Sequence, residues 1–123
     1  MARPFDFDRA TKNPAFFRQW NLCACCGVSL LDLHDHAHHV IPNQIGDTSD
    51  PADAFLRSAD NCVILCDTCH KRVHANGHYR TGVVAPATYY PHSHGKMVAQ
   101  RQPWVKRINA EWHRITARSA GGN

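Results

Sequence analysis

Cys66-Asp67-Thr68-Cys69-His70-Lys71-Arg72-Val73-His74 is the stretch on which the reading of this chain turns. Two residues separate the cysteines, so both sulfurs can reach one tetrahedral ion from a tight turn. From Asp67 to Ala75 the residues are helix-compatible and no breaker precedes Gly77, which predicts a helix there. On that helix His70 and His74 lie four apart and share a face, a spacing that suits chelation of one ion by one helix. Taken alone, such a pair is more often a solvated face. The abutting cysteine pair shifts the balance toward metal, because it fixes where the helix begins.

Upstream, Cys23-Ala24-Cys25-Cys26-Gly27 repeats the spacing in Cys23 and Cys26. Gly27 follows the pair, where glycine readily supplies a left-handed backbone. The chain has six cysteines. Two Cys-x-x-Cys pairs read better as structural Zn²⁺ than as disulfides or as reduced core residues. An ion on Cys23, Cys26, Cys66 and Cys69 would close a loop of about forty residues, offsetting chain entropy that a small core covers poorly. Cys25 could replace Cys23 or Cys26, although the spacing disfavours it. Cys62 falls in an expected strand and reads as a small buried apolar residue.

The 123 residues fit one domain, 1–123. Asn13-Pro14 has the form of a cap and first helical residue, and predicts a short helix through Phe16, Phe17 and Trp20. Asp50-Pro51 repeats that signal for a helix through Phe55 and Leu56. Ala37 to Ile41 and Cys62 to Leu65 read as strands. Gly77 to Gly95 reads as an irregular excursion. Pro103 opens a last helix, about 103–118, with Trp104, Ile108, Trp112 and Ile115 on one face.

The formal charge of +4 is compatible with a polyanionic partner. Ten histidines are more than a fold of this size needs and point to metal or proton chemistry. Met1 to Asp8 has no apolar core of a signal peptide, and no apolar run approaches the ~20 residues of a membrane span. A cytoplasmic, reducing location follows most simply, with no membrane partner. A signal-independent secretion route stays open.

His38-His39-Val40-Ile41-Pro42, Asn61 and Cys69-His70-Lys71-Arg72-Val73-His74 remain to be joined. In an ideal strand His38 and His39 point to opposite faces, so spacing alone does not unite them. The order His-His, Asn, eight residues, His, three residues, His resembles the His-Asn-His (HNH) endonucleases, in their zinc-knuckle form, over Cys23 to His74. The resemblance implies an α+β fold: a small ββα-metal (His-Me finger) core, about 34–76, with a four-cysteine zinc knuckle and flanking helices. By position it implies that His39 is the general base and that Asn61 holds the hairpin and orients His39. It further implies that His38, His70 and His74 bind one catalytic divalent cation. The spacing from His39 to Asn61 is long, and holds the expected helix at Pro51 to Arg57.

The implied chemistry is coherent. An imidazole can accept water's proton near neutral pH. The cation stabilises charge on the phosphoryl oxygens and on the leaving 3′ oxygen, and the family implies 5′-phosphate and 3′-hydroxyl products. Mg²⁺ prefers oxygen, so an all-imidazole site favours Zn²⁺, Ni²⁺ or Mn²⁺ in vitro.

His34 and His36 alternate with His38, and could support or substitute for the ligands; the plainer reading is a solvated strand start. One histidine of Tyr89-Tyr90-Pro91-His92-Ser93-His94-Gly95 could reach phosphate; loop packing is the plainer reading. Lys71 and Arg72 flank His70, and Arg107, Arg114 and Arg118 form a stripe on the last helix. Such a stripe is usually a solvated face, but near a nuclease site it is a phosphate track. Nothing encodes a base-reading element, so DNA cleavage of low sequence specificity is expected. A looser similarity to nuclease toxin domains of bacterial competition systems rests on His74-Ala75-Asn76-Gly77 and on Ala85-Pro86 to Ser93-His94-Gly95. It implies a cognate immunity protein, acidic enough to cover the basic face. The alternatives are a phage or restriction-type nuclease and a non-catalytic zinc-finger binding module. The latter leaves His38, His39, Asn61, His70 and His74 without a role.

Overall fold

Cys62–Cys66 forms strand β2, and all five of its residues are buried. It pairs antiparallel with β1 (Asp35–His39), placing Asp35 opposite Cys66, His36 opposite Leu65, His38 opposite Val63 and His39 opposite Cys62. This computed structural model describes residues 5–31, 33–42, 45–76 and 86–121, and for 74–76, 86, 88, 98 and 118–121 only the backbone. His74 and Arg118 are therefore located by backbone alone, and residues 77–85 of the expected excursion lie outside the described residues. The fold is small and mixed, a two-stranded sheet with helices α1 (Arg9–Arg18), α2 (Asp67–Asn76) and α3 (Val98–Gly121). Short 3₁₀ segments cover Pro51–Arg57, Ala59–Asn61 and Pro86–Tyr89. No helix among the described residues is long and apolar enough to cross a membrane.

Several element boundaries differ from the sequence expectation. Helix α1 starts at Arg9, because Asp8 caps it: its carboxylate accepts the Thr11 amide at 2.8 Å. The Asn13-Pro14 signal is overridden, and Pro14 lies within the helix. The bond it cannot donate would go to the carbonyl of Ala10, an exposed residue, so water can serve instead. Helix α3 likewise begins at Val98 with Pro103 inside it. The helix expected at Pro51 is there, capped by Asp50, but as a 3₁₀ segment. Strand β1 stops at His39 because Asn61 takes over its hydrogen bonding. The Val40 amide donates to the Asn61 carbonyl at 3.0 Å, and the Ile41 amide to Asn61 Oδ1 at 2.7 Å.

The core forms where these elements meet. Trp104, Ile108, Trp112 and Ile115 are buried along one face of α3, as their spacing predicts. Leu30, Val40, Ile41, Leu56 and Tyr90 join the three apolar residues of β2 in the same cluster.

A two-stranded sheet leaves one edge of β2 without a strand partner, and this edge is inside the molecule. Side chains close it. Gln19, fully buried, accepts from the Ile64 amide at 3.0 Å and donates to the Ile64 carbonyl at 2.7 Å, as a neighbouring strand would. The Ala24 amide reaches the same carbonyl at 3.1 Å. Arg18 donates to the carbonyls of Cys62 at 2.6 Å, Ala59 at 2.9 Å and Ser93 at 3.0 Å.

Replacing Gln19 by alanine orphans the buried Ile64 amide and leaves a void. We predict that Gln19→Ala destabilises the fold by about 2–4 kcal/mol, read from urea unfolding. A change below about 0.5 kcal/mol would show that this edge is satisfied in another way.

Candidate metal centre and histidine row

The turn from Cys23 to Gly27 is held by the Cys23 amide on the Val28 carbonyl at 2.7 Å and the Gly27 amide on the Cys23 carbonyl at 2.9 Å. Gly27 adopts φ +79°, the left-handed backbone expected after the second cysteine. The turn is set against the junction where β2 ends at Cys66 and α2 begins at Asp67. The sulfurs of Cys23, Cys26, Cys66 and Cys69 all lie within 4.8 Å of one another. Zn–S bonds of ~2.3 Å at tetrahedral angles put sulfurs ~3.8 Å apart, and Cys26 and Cys66 are 3.9 Å apart. The four residues can therefore hold a structural metal such as zinc.

Electrostatics agree with that donor set. Burial opposes ionisation of Cys23, yet backbone hydrogen bonds from Cys26, Cys66 and Cys25 outweigh it and bring its pKa below the usual thiol value. One of them is the Cys66 amide, 3.4 Å from the Cys23 sulfur. Burial raises Cys26 and Cys69 instead, and the neighbouring thiols add to the rise at Cys69. Four crowded thiols cannot all ionise alone; a dication among them removes the obstacle. Cys25 and Cys62 stand outside the group. Cys62 is fully buried and its thiol is pushed up to about 12 by desolvation, in keeping with a small apolar role.

The histidines of β1 divide between two environments. His38 is buried, with its ring 5.6 Å from His70 and 6.0 Å from Tyr90. The Tyr90 hydroxyl is buried without a hydrogen-bond partner among the described residues. His36 stacks on His70 at 4.4 Å and 10°, and His34 lies 4.7 Å from His36. His34, His36, His38 and His70 thus make a row of imidazoles. His39 is elsewhere: it stacks on Phe7 at 4.0 Å and 19°, and its Nε2 donates to the Phe5 carbonyl at 2.7 Å. That bond requires a proton on Nε2, which in the neutral ring makes Nδ1 the basic nitrogen. The structure brings His38 to His70 and leaves His39 among the N-terminal aromatics.

Asn61 is fully buried, and among the described residues its side chain bonds to backbone groups. Besides accepting from Ile41, its Nδ2 donates to the carbonyls of Ile41 at 3.0 Å and Leu56 at 2.9 Å. It staples the chain just past His39 to the Pro51–Arg57 segment.

The basic residues are more committed than their spacing suggests. Arg107 pairs with Asp60, and Arg114 pairs with the buried Asp53 at 2.9 Å and with Glu111 at 2.9 Å. Both tie α3 to the segment before β2. Lys71 bridges to Asp67 at 3.1 Å, while Arg72 is exposed and lines a groove beside the knuckle. In the second histidine cluster, the His92 ring packs on Gly27, and its amide donates to the Ala24 carbonyl at 2.8 Å. His94 is buried edge-on to Trp104, with Nδ1 3.0 Å from the Ser93 hydroxyl. The plainer reading, loop packing, describes both.

Sequence reasoning did not single out Asp67 or Tyr90. The alternation His34, His36, His38 was the available signal for the row; Asp67 offered none, since an acidic residue in a first helical turn is ordinary. Compared with family models, curated proteins and solved structures, the chain gives no match.

Two predictions arise here. Cys66→Ser removes one ligand and the link from knuckle to strand. Losing a structural zinc costs on the order of the whole net stability of a small domain. The variant should therefore retain no zinc after mild EDTA treatment and show no cooperative melt. Retention of one zinc per chain with the parent's Tm would mean the ligands are misassigned.

The second concerns His94, whose pKa is lowered to about 4 by desolvation first, then by Arg18 and Arg101. Between that value and the unfolded value of ~6.5 the unfolded chain binds the extra proton, so stability falls as pH falls. From pH 7 to pH 5 the parent should lose about 2 kcal/mol more than His94→Gln, by urea unfolding at both values. Equal losses would place the acid sensitivity in other groups.

Proposed function

We propose that the chain is a metal-dependent endonuclease of the HNH type that hydrolyses DNA phosphodiester bonds with little sequence preference. The observation that carries this reading is the stapling of the end of β1 by Asn61 next to His39, with His38 on the same strand facing His70 of α2. The order strand, strand, helix, with a cysteine group at the strand–helix junction, fits a ββα-metal core beside a zinc knuckle.

In this reading His38, His70 and His74 hold a divalent cation, which when bound stabilises charge on the phosphoryl and leaving 3′ oxygens. The all-imidazole set favours Zn²⁺, Ni²⁺ or Mn²⁺ over Mg²⁺. His39 accepts the proton of the attacking water on Nδ1, while the Phe5 carbonyl holds Nε2–H and fixes the tautomer. Asn61 acts through the backbone of Ile41, setting where β1 bends away beyond His39. Arg72 meets the phosphate backbone, and Lys71 can do so on releasing Asp67. Arg107 and Arg114 would have to release Asp60 and Asp53 to do so, and they serve the fold first. A toxin role with an acidic immunity partner belongs to this reading as its biological setting.

The competing reading is a non-catalytic zinc-knuckle binding module. The observation in its favour is the His39 ring, packed on Phe7 and bonded to Phe5 in the manner of a structural histidine.

Plasmid nicking with Mg²⁺, Mn²⁺, Ni²⁺ and Zn²⁺ separates the two. The parent should cut with at least one ion, and His39→Ala should cut ~10²- to 10⁴-fold more slowly with metal and DNA binding retained. His70→Ala should weaken the exchangeable metal, and excess metal should restore part of its activity. Asn61→Ala should fall between these in rate and also lower Tm, since three buried hydrogen bonds go with it. DNA binding without cleavage of plasmid or RNA by any ion establishes the binding module. Cleavage by His39→Ala at the parent's rate moves the base elsewhere.

A further inference from the structure

We propose that His34, His36 and Asp67 form a second transition-metal site, separate from the four-cysteine knuckle and from the His38–His70 pair. One ligand atom from each lies within 4.8 Å of the other two. The fold assembles them without a dedicated loop. His36 sits in β1, and His34 precedes it by two residues on the same face. Asp67 opens α2 directly after Cys66, and Cys66 pairs with Asp35 in the sheet. The strand register therefore sets Asp67 against the imidazoles.

Each group is already oriented. Asp67 Oδ1 lies 2.9 Å from His36 Nε2, and Lys71 occupies the other oxygen, Oδ2, at 3.1 Å. The lysine thus turns Oδ1 toward the histidines. The His36 ring is fixed between two neighbours, His34 at 4.7 Å and His70 at 4.4 Å, the latter almost parallel. A cation entering here replaces the His36–Asp67 hydrogen bond with coordination to both atoms and to His34.

The donor set decides the ion. Two imidazoles and one carboxylate suit Zn²⁺, Ni²⁺ or Cu²⁺, and offer little to Mg²⁺ or Ca²⁺, which want several oxygens. Three protein ligands leave a tetrahedral ion one open position. His34 and Asp67 line a groove of about 510 Å³ to which Arg72 also contributes, so water or an anionic oxygen can reach that position. The site does not depend on the nuclease reading, and would exist equally in a binding module.

The test is Ni²⁺ titration of the full chain carrying its knuckle zinc, followed by calorimetry, in four proteins. The parent should show two exchangeable classes, one from this site and one from His38 and His70. His34→Gln, a change at an exposed side chain, should remove one class or weaken it at least roughly tenfold. Its zinc content and Tm should stay at the parent's values. His70→Gln should leave the His34-dependent class in place, and His113→Gln, at an exposed helical histidine, should change nothing. Substoichiometric Ni²⁺ should broaden the ring resonances of His34 and His36 before that of His113. If His34→Gln matches the parent in stoichiometry and affinity, or if the His34 and His36 rings stay sharp while Ni²⁺ binds, the site does not exist.

Discussion

The unpaired edge of β2 constrains everything else in this molecule. A strand buried at all five positions cannot leave amides and carbonyls without partners, because each orphaned group costs about 1–3 kcal/mol. With a single partner strand, the missing ladder has to come from outside the sheet. Gln19 at the end of α1 supplies both halves of one ladder rung, Arg18 caps the carbonyl before it, and the knuckle supplies an amide and a sulfur. Helix α1 and the knuckle are thereby set against β2 by directional bonds. The sulfurs converge where their backbones are already held, and a metal among them would add a further tether to a geometry that hydrogen bonding has arranged.

From β2 the chain passes into α2 without a connecting residue, Cys66 ending the strand and Asp67 beginning the helix. A junction of zero length leaves little freedom. The β1–β2 register then determines which β1 residues meet the first turns of α2. Cys66 and Cys69 turn to the knuckle, Asp67 to His36, and His70 to His36 and His38. Within residues 66–69, Cys66 and Cys69 thus belong to one group that could hold a metal and Asp67 to another. A shift of one residue in the register would turn the histidine row to the opposite face and separate it from α2.

What could be read in the sequence was whatever depends on neighbours along the chain. Cys-x-x-Cys spacing, the apolar run of β2, the stripe of Trp104, Ile108, Trp112 and Ile115, and the Asp50-Pro51 start are local signals, and each corresponds to a feature of the fold. The start of α1 was misread because two caps compete: Asp8 and Asn13-Pro14 are both good local signals, and the earlier one prevails with Pro14 tolerated inside. Gln19 and Arg18 were invisible because the partners that close the strand edge lie 41 to 75 residues away. A glutamine reads as surface until a strand edge is known to need it. The ion pairs of Arg107 and Arg114 were hidden for the same reason. A basic helical face looks available for phosphate until Asp60 and Asp53 are found opposite it.

The separation of His39 from His38 bears directly on how hydrolysis could proceed on this scaffold. Strand alternation sends adjacent side chains to opposite faces, so no unstrained strand presents both to one side. In-line displacement at phosphorus asks for such a division, since the attacking water and the leaving oxygen stand on opposite sides of the phosphorus. A phosphate lying across the end of β1, where the chain bends at Val40 and Ile41 under the hold of Asn61, would face His38 and His70 on one side. His39, with its proton fixed on Nε2 by the Phe5 carbonyl, would stand on the other. Under the nuclease reading, the opposition of the two imidazoles would suit that division, and Asn61 holds the chain where the strand ends just past His39.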